Sequence, residues 1–121
     1  MATVLIVDDS PTEVHVYQTI LKKHGFSVEV AENGEDGIAM AQSLRPDLIL
    51  MDVVMPGING FQATRELSRS DDTSDIPIII ITTKDQETDK VWGLRQGARD
   101  YIVKPVKEAV LMKHVSAILG E

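Results

Sequence analysis

Cysteine is absent from the 121-residue sequence, and aromatic residues make up only 4% of it. A chain without cysteine has neither a disulfide framework nor a thiolate metal site. No apolar run approaches the ~18 residues that a membrane-spanning helix needs, and no basic stretch precedes the short apolar run near the N-terminus. We therefore expect a cytoplasmic protein that is not inserted in a membrane.

Positive charge is also scarce, since 12 Lys and Arg face 19 Asp and Glu, giving a formal net charge of -7. Nucleic-acid binding is driven chiefly by Lys and Arg that displace counterions, so the charge argues against direct contact with DNA or RNA. The length and the 43% hydrophobic content are typical of one compact domain. We expect residues 1–121 to form that domain, with no room for an output domain.

Continuous apolar runs predict strands that are covered on both faces of a sheet. There are four such runs, at residues 4–7, 48–51, 78–81 and 101–103. A fifth segment, residues 27–31, alternates polar with apolar side chains, which is typical of an edge strand. These segments together predict a five-stranded sheet.

Helix signals occupy the segments between and after the strands. Ser10-Pro11-Thr12-Glu13 is typical of an N-cap, a first-turn proline and a capping-box glutamate, and this helix is expected to end near His24, before Gly25. The second predicted helix begins after Asn33-Gly34 and ends before Arg45-Pro46, and the third begins after Asn59-Gly60 and ends near Arg69. The fourth begins at a cap on Thr83 or Asp85 and ends at Gly97, and the fifth runs from near Lys107 to near Leu119. Five alternating strand-helix units predict a doubly wound α/β domain, a parallel sheet between two helix layers.

Chemically active residue types follow four of the predicted strands: Asp8-Asp9, Asp52, Thr82 and Lys104. Because the carboxyl ends of parallel strands meet at one edge of the sheet, we expect these side chains to converge. Carboxylates that lie close together repel each other and require a compensating cation. Mg²⁺ prefers oxygen ligands and is therefore the predicted cofactor.

Asp52 is the predicted phosphoryl acceptor, because a carboxylate can attack phosphorus and form an acyl phosphate. The predicted metal site consists of Asp8, Asp9, Asp52 and the Val54 backbone carbonyl, with Asp8 acting through a metal-bound water. Lys104 and Thr82 are predicted to bind the phosphoryl oxygens. Each of these residue types alone is more often a helix cap or a loop residue, and only their joint occurrence favours a site. His15, His24 and His114 lack ligand spacing and receive no role.

Other functions are open on the same fold. A small phosphohydrolase with an Asp nucleophile needs a second carboxylate two residues further on, where Val54 stands. A flavodoxin-like cofactor binder needs a glycine-rich phosphate loop after the first strand, where Asp8-Asp9 would repel the ligand. A phosphorylation-independent interaction module is the third alternative, since fold does not fix function.

Over essentially its whole length the chain resembles the CheY-like receiver domains of two-component response regulators. The resemblance rests on Asp8-Asp9, Asp52, Met55-Pro56-Gly57, Gly60, Thr82, Tyr101 and Lys104-Pro105. It implies a flavodoxin-like sheet of order 2-1-3-4-5, a cis Lys104-Pro105 bond, and a monomer that catalyses only its own phosphorylation and dephosphorylation. It also implies a switch in which Thr82 moves towards the phosphoryl group and Tyr101 turns inward.

Residues 7–13, 54–65 and 82–105 further resemble the small receivers of chemotaxis-like systems that control type IV pilus twitching motility. That resemblance implies a CheA-type histidine kinase or phosphotransfer domain as the donor and a downstream motility protein as the target. Val54 departs from the amide of the best-known chemotaxis member. We predict that it slows the attack of water on the acyl phosphate.

Overall fold

The computed structural model describes residues 2–120, in which strands and helices alternate along the chain. The strands are β1 (Thr3–Val7), β2 (Ser27–Ala31), β3 (Leu48–Met51), β4 (Ile78–Thr82) and β5 (Asp100–Val103). The helices are α1 (Pro11–Lys23), α2 (Gly34–Leu44), α3 (Gly60–Arg69), α4 (Glu87–Arg95) and α5 (Glu108–Leu119). None of the helices within residues 2–120 combines the length and the apolar character needed to cross a membrane.

All neighbouring strands pair in parallel, in the order β2-β1-β3-β4-β5. This confirms the predicted doubly wound fold and its 2-1-3-4-5 order. The strands β3 and β4 are buried at every position, as their continuous apolar runs predict. In β2 the side chains of Val28 and Val30 are half-buried while Ser27 and Glu29 are exposed, which confirms an edge strand.

Successive residues of each strand point to opposite faces of the sheet and build two separate cores. In β1, Leu5 and Val7 belong to the core beneath α2 and α3, and Val4 and Ile6 belong to the core beneath α1 and α5. The burial of these two apolar clusters is the main stabilising contribution to the fold. It also fixes where each strand ends, and thereby where the polar residues that follow it lie.

Polar side chains cap the starts of α1, α2 and α3. The Asn33 side chain accepts a hydrogen bond from the Asp36 N–H at 2.8 Å, and Asn59 forms a reciprocal capping box with Gln62. Ser10 caps α1 by accepting from the Glu13 N–H at 3.4 Å. The Glu13 side chain does not return the bond, so the predicted α1 capping box is only half formed.

The start of α4 corrects another prediction. Its N-cap is Gln86, whose N–H donates to Asp89 Oδ2 at 3.3 Å, and not Thr83 or Asp85. Hydrogen bonds to the Lys84 backbone hold the preceding segment outside the helix, which delays the first turn. Of the α4 residues only Gly93 is buried, and Trp92 is 50% exposed.

Candidate functional site

The sheet hydrogen-bond ladder positions the polar residues at the strand ends. The Asp8 N–H donates to the Ala31 carbonyl at 3.0 Å, and the Asp52 N–H donates to the Val7 carbonyl at 2.9 Å. The Lys104 N–H donates to the Thr82 carbonyl at 2.8 Å. Each backbone is therefore held by the neighbouring strand, and the side chains are directed by rigid elements rather than by loops.

Lys104 lies at the centre of a carboxylate cluster. Its Nζ is 3.2 Å from Asp52 Oδ1, 3.7 Å from Asp8 Oδ2 and 2.5 Å from Glu13 Oε2. The side chains of Lys104, Asp52 and Asp8 are only 11%, 8% and 3% exposed. The sequence predicts that Asp52, Asp8 and Lys104 share one site, and the structure brings them together.

Glu13 is the residue that sequence analysis missed at this site. It was assigned to helix capping, yet its carboxylate makes the shortest of the contacts to Lys104. The Ser10 N–H that Glu13 was expected to cap donates instead to Asp8 Oδ1, at 2.9 Å. The position of Glu13 in the sequence could have indicated its place in the site. It lies in the first turn of a helix, five residues after Asp8, and therefore at the same edge of the sheet as the strand ends.

Burial without enough compensating charge perturbs the ionisation of the acids. Desolvation raises the pKa of Asp8 to about 7. The hydrogen bond from the Ser10 N–H lowers this pKa, and repulsion from Asp52 raises it further. Burial also raises the pKa of Asp52, although Lys104 opposes the shift. Burial would lower the pKa of Lys104, but the hydrogen bond to Glu13 and the charges of Asp52 and Asp8 outweigh it, so the pKa is raised. The site therefore favours an additional cation.

The donor set fits Mg²⁺. Asp8, Glu13 and Asp52 each offer a carboxylate oxygen, and these oxygens all lie within 4.8 Å of one another. Oxygens that share one octahedral Mg²⁺ lie about 3 to 4 Å apart when each is about 2.1 Å from the ion, so modest closure would bring them to ligand distance. Asp9 is exposed and is not among these three acids, and Val54 is 63% exposed.

Thr82 and Tyr101 are linked through one residue. Thr82 is fully buried, and its Oγ1 accepts a hydrogen bond from the Lys84 N–H at 3.2 Å. The Tyr101 hydroxyl donates to the Lys84 carbonyl at 2.8 Å, and the Tyr101 ring is 7% exposed, facing Gly93 of α4. The two residues predicted to form a switch therefore hold the same point of the β4–α4 loop.

The start of α3 packs against the backbone of Asp52 and Val53. The Gly60 N–H donates to the Val53 carbonyl at 2.9 Å, and a Cβ built on Gly60 would lie 1.9 Å from the Asp52 carbonyl oxygen. Only glycine permits this approach, because the neighbouring atoms are backbone and cannot rotate away. The Asp52 carboxylate accepts from the Val53 N–H at 2.9 Å, which fixes its orientation.

His24 and His114 pair with acids outside this cluster, whereas His15 lines a cavity together with Asp8 and Asp9. His24 Nε2 contacts Glu108 at 3.0 Å, and His114 Nδ1 pairs with Asp100. His15 is exposed on α1. None of the three histidines belongs to the acidic group within residues 2–120 that could hold a metal ion. The Lys104-Pro105 bond is cis, as the resemblance implied.

Comparisons with known proteins agree with this geometry. The family model described as response regulator receiver domain matches residues 4–116. Protein PilH of Pseudomonas aeruginosa is 62% identical over 120 residues, covering 99% of both chains. Chemotaxis protein CheY4 of Vibrio cholerae shares 33% identity with a TM-score of 0.91, over 98% of both chains. The chain shares 31% identity and a TM-score of 0.91 with the receiver domain of the sensor histidine kinase PA1611 of Pseudomonas aeruginosa, over 99% of this chain and 98% of that one. That receiver domain was solved with a magnesium ion coordinated in its active-site cleft. The chain belongs to the response regulator receiver family.

Proposed function

We propose that this protein is a single-domain response regulator that accepts a phosphoryl group on Asp52 from a histidine kinase or phosphotransfer domain. The observation that carries the proposal is the contact of Asp52 with Lys104 at 3.2 Å, in a site with a carboxylate excess that a divalent cation would balance. An acyl phosphate needs a carboxylate nucleophile beside fixed positive charge, and this site offers both.

In the proposed transfer a carboxylate oxygen of Asp52 attacks the phosphorus of a phosphohistidine. The new O–P bond forms as the P–N bond breaks, and the electron pair leaves with the imidazole nitrogen, which takes up a proton. Lys104 neutralises charge on the transferring phosphoryl oxygens, and the Thr82 hydroxyl donates to one of them. A movement of the Thr82 side chain towards the phosphoryl group would break the bond that its Oγ1 accepts from the Lys84 N–H.

Mg²⁺, when bound, would neutralise the acids and screen the incoming phosphoryl oxygens. Asp9, Asp52 and the Val54 carbonyl are the proposed direct ligands, and Asp8 is proposed to act through a bound water. Support for a metal comes from the converging oxygens of Asp8, Glu13 and Asp52. The raised pKa of Asp8, to about 7, also indicates a site short of positive charge.

The proposed output is a change in the surface formed by α4, β5 and α5. Release of Thr82 from Lys84 would loosen the loop that Tyr101 also holds. The helix α4 buries only Gly93, so few packing contacts resist its displacement. Phosphorylation would then shift an existing equilibrium between two positions of this helix.

The proposed pathway is chemotaxis-like control of type IV pilus twitching motility, with a CheA-type kinase upstream and a motility protein downstream. Support comes from the motifs that resemble receivers of such systems and from the 62% identity to PilH over 99% of both chains. In a strain that lacks the gene, the wild-type copy should restore normal twitching zones and the Asp52→Asn copy should not. Equal restoration by both copies would favour the phosphorylation-independent interaction module.

The transfer itself is tested by incubating the protein with acetyl phosphate and Mg²⁺ and measuring its intact mass. We expect one added phosphoryl group, absent in Asp52→Asn and absent when EDTA replaces Mg²⁺. The matched control is Asp75→Asn, which removes an exposed carboxylate paired with Arg45 and should behave as wild type. An adduct on Asp52→Asn equal to that on wild type would refute the assignment.

A further inference from the structure

Glu13 makes the closest of the three carboxylate contacts to Lys104, although Asp52 is the acceptor. The Lys104 Nζ lies 2.5 Å from Glu13 and 3.2 Å from Asp52. A lysine ammonium has three donors, and those that hold Glu13 are not available to a phosphoryl oxygen. Lys104, which is proposed to bind phosphoryl oxygens, is therefore already paired with the carboxylate of Glu13.

We propose that Glu13 is an internal competing anion: it occupies Lys104 while Asp52 is unmodified, and it must withdraw when a phosphoryl group arrives. This inference rests on the proposed function of Asp52. Glu13 would act as a positioning residue that changes the relative affinity of the site for Mg²⁺ and for a phosphoryl group, without itself touching phosphorus.

The exposure of the side chains shows which acid can withdraw. Glu13 is 36% exposed, whereas Asp52 and Asp8 are 8% and 3% exposed. Glu13 projects from the first turn of α1, and its backbone is held by the Ser10 cap independently of its carboxylate. A rotation of its side chain towards solvent would free Lys104 without disturbing the helix or moving a strand.

The local charge supports the same conclusion. The carboxylates of Asp8, Glu13 and Asp52 outnumber the single ammonium of Lys104, which leaves an excess of negative charge that a divalent cation would reduce. Forming the acyl phosphate replaces the single charge of the Asp52 carboxylate with a phosphoryl group that carries between one and two, so the site gains up to about one further negative charge. Glu13 near Lys104 therefore favours Mg²⁺ and opposes the phosphoryl group, and its withdrawal reverses that preference.

The prediction is that Glu13→Gln changes the two affinities in opposite directions. Mg²⁺ alone should bind more weakly by about threefold or more, because one negative charge is lost. Beryllofluoride, a phosphoryl mimic, titrated at saturating Mg²⁺, should bind more tightly by about the same factor. Both titrations can be followed by NMR on the amides of residues 82–84. A side chain with only a structural role would not separate the two affinities.

Two further variants separate charge from shape. Glu13→Asp keeps the charge and should keep the Mg²⁺ affinity of wild type. Glu13→Ala removes the charge without introducing an amide, so it should show the same opposite shifts as Glu13→Gln. Glu108→Gln is the matched control, because Glu108 also pairs with a lysine at 3.0 Å, through Lys23, but has no contact with the site acids. It should leave both affinities unchanged.

Beryllofluoride binding that stays the same or weakens in both Glu13→Gln and Glu13→Ala would overturn the inference. If beryllofluoride binding does not tighten and the Mg²⁺ affinity falls markedly in both variants, Glu13 is a metal ligand instead. If wild type itself shows no beryllofluoride binding and no Asp52-dependent adduct with acetyl phosphate, the proposed function fails. If the wild type binds normally and only the Glu13 variants show no opposite shift, the inference on Glu13 alone fails.

Discussion

At the carboxyl end of the sheet, Lys104 and three acids form one largely buried cluster, whereas at the amino end Arg45 and Asp75 form one exposed pair. Lys104 contacts three acids and is 11% exposed, while Arg45 and Asp75 are 48% and 72% exposed and contact each other at 3.2 Å. Buried ion clusters cost free energy to desolvate, and exposed pairs contribute little.

The difference indicates what each end of the sheet is built for. The amino end holds strand starts and loop acids such as Asp47, which accepts from the Thr3 N–H at 2.8 Å in an exposed position. The carboxyl end retains a buried acid whose pKa is raised to about 7, an arrangement that opposes folding of the ionised form. Such a cost is expected where ligands bind, and not where only a fold is stabilised.

Removal of the central cation should give the largest contrast between the two ends. Lys104→Gln leaves Asp8, Glu13 and Asp52 without their ammonium, so we expect a loss of about 3 kcal/mol in the free energy of unfolding at pH 8 in EDTA. The matched change at the amino end, Arg45→Gln, should cost less than about 0.5 kcal/mol. Urea unfolding of both variants gives the comparison, and equal losses would remove the distinction between the ends.

Glycine substitutions test the packing difference. In Gly60→Ala the added Cβ would lie 1.9 Å from the Asp52 carbonyl oxygen, so we expect a loss of about 2 to 3 kcal/mol and impaired phosphorylation. At the amino end, Gly25 has φ of +90° but open space around it, and Gly25→Ala should cost about 1 kcal/mol through backbone strain alone. Urea unfolding and the acetyl phosphate assay report both effects. Normal phosphorylation in Gly60→Ala would contradict close packing against Asp52.

The pH dependence of stability should come from the carboxyl end. Because the pKa of Asp8 is raised to about 7 in the folded protein, protonated Asp8 favours the folded state, and its contribution is present at low pH and lost as pH rises through about 7. Asp52, whose pKa is also raised, acts in the same direction.

In EDTA, Asp8→Asn should therefore be more stable than wild type at pH 8, by about 1 to 2 kcal/mol, and less so at pH 5. Saturating Mg²⁺ should reduce the gain, since it binds the folded wild type. Asp75→Asn, at the amino end, should show no such pH-dependent gain in urea unfolding. A gain for Asp8→Asn that is the same at pH 5 and pH 8 would count against the raised pKa.

Position 54 gives the smallest expected effect. Val54 is 63% exposed beside the site and carries no group that could orient water. We expect Val54→Asn to hydrolyse its acyl phosphate about two- to tenfold faster, since a positioned polar group assists attack by water. The decay of the phosphorylated mass after removal of acetyl phosphate measures the rate. No change would show that water access at Val54 does not limit dephosphorylation.

The sequence was sufficient to predict the strands and most helix limits, because continuous apolar runs and helix caps are local signals. The convergence of Asp8, Asp52 and Lys104 followed from the parallel topology alone. Gln86 replaced the predicted caps of α4 because the Lys84 N–H donates to Thr82 and the Lys84 carbonyl accepts from Tyr101, which holds Lys84 outside the helix. The Tyr101 contact joins residues 17 positions apart.

Glu13 could not be predicted for a different reason. A glutamate at the third position of a helix can return a bond to the N-cap or extend towards a neighbouring element. Lys104, 91 residues further along the chain, decides between the two in this protein. The competition between local capping and a long-range ion pair is settled only in the folded structure.

The most direct test of the account is to locate the phosphoryl group itself. After phosphorylation with acetyl phosphate and Mg²⁺, borohydride reduction converts an aspartyl phosphate to homoserine, which peptide mass mapping assigns to a position. We expect homoserine at position 52 and unmodified Asp8 and Asp9. Homoserine at either of those residues, or none in a protein that carries the phosphoryl mass, would contradict it.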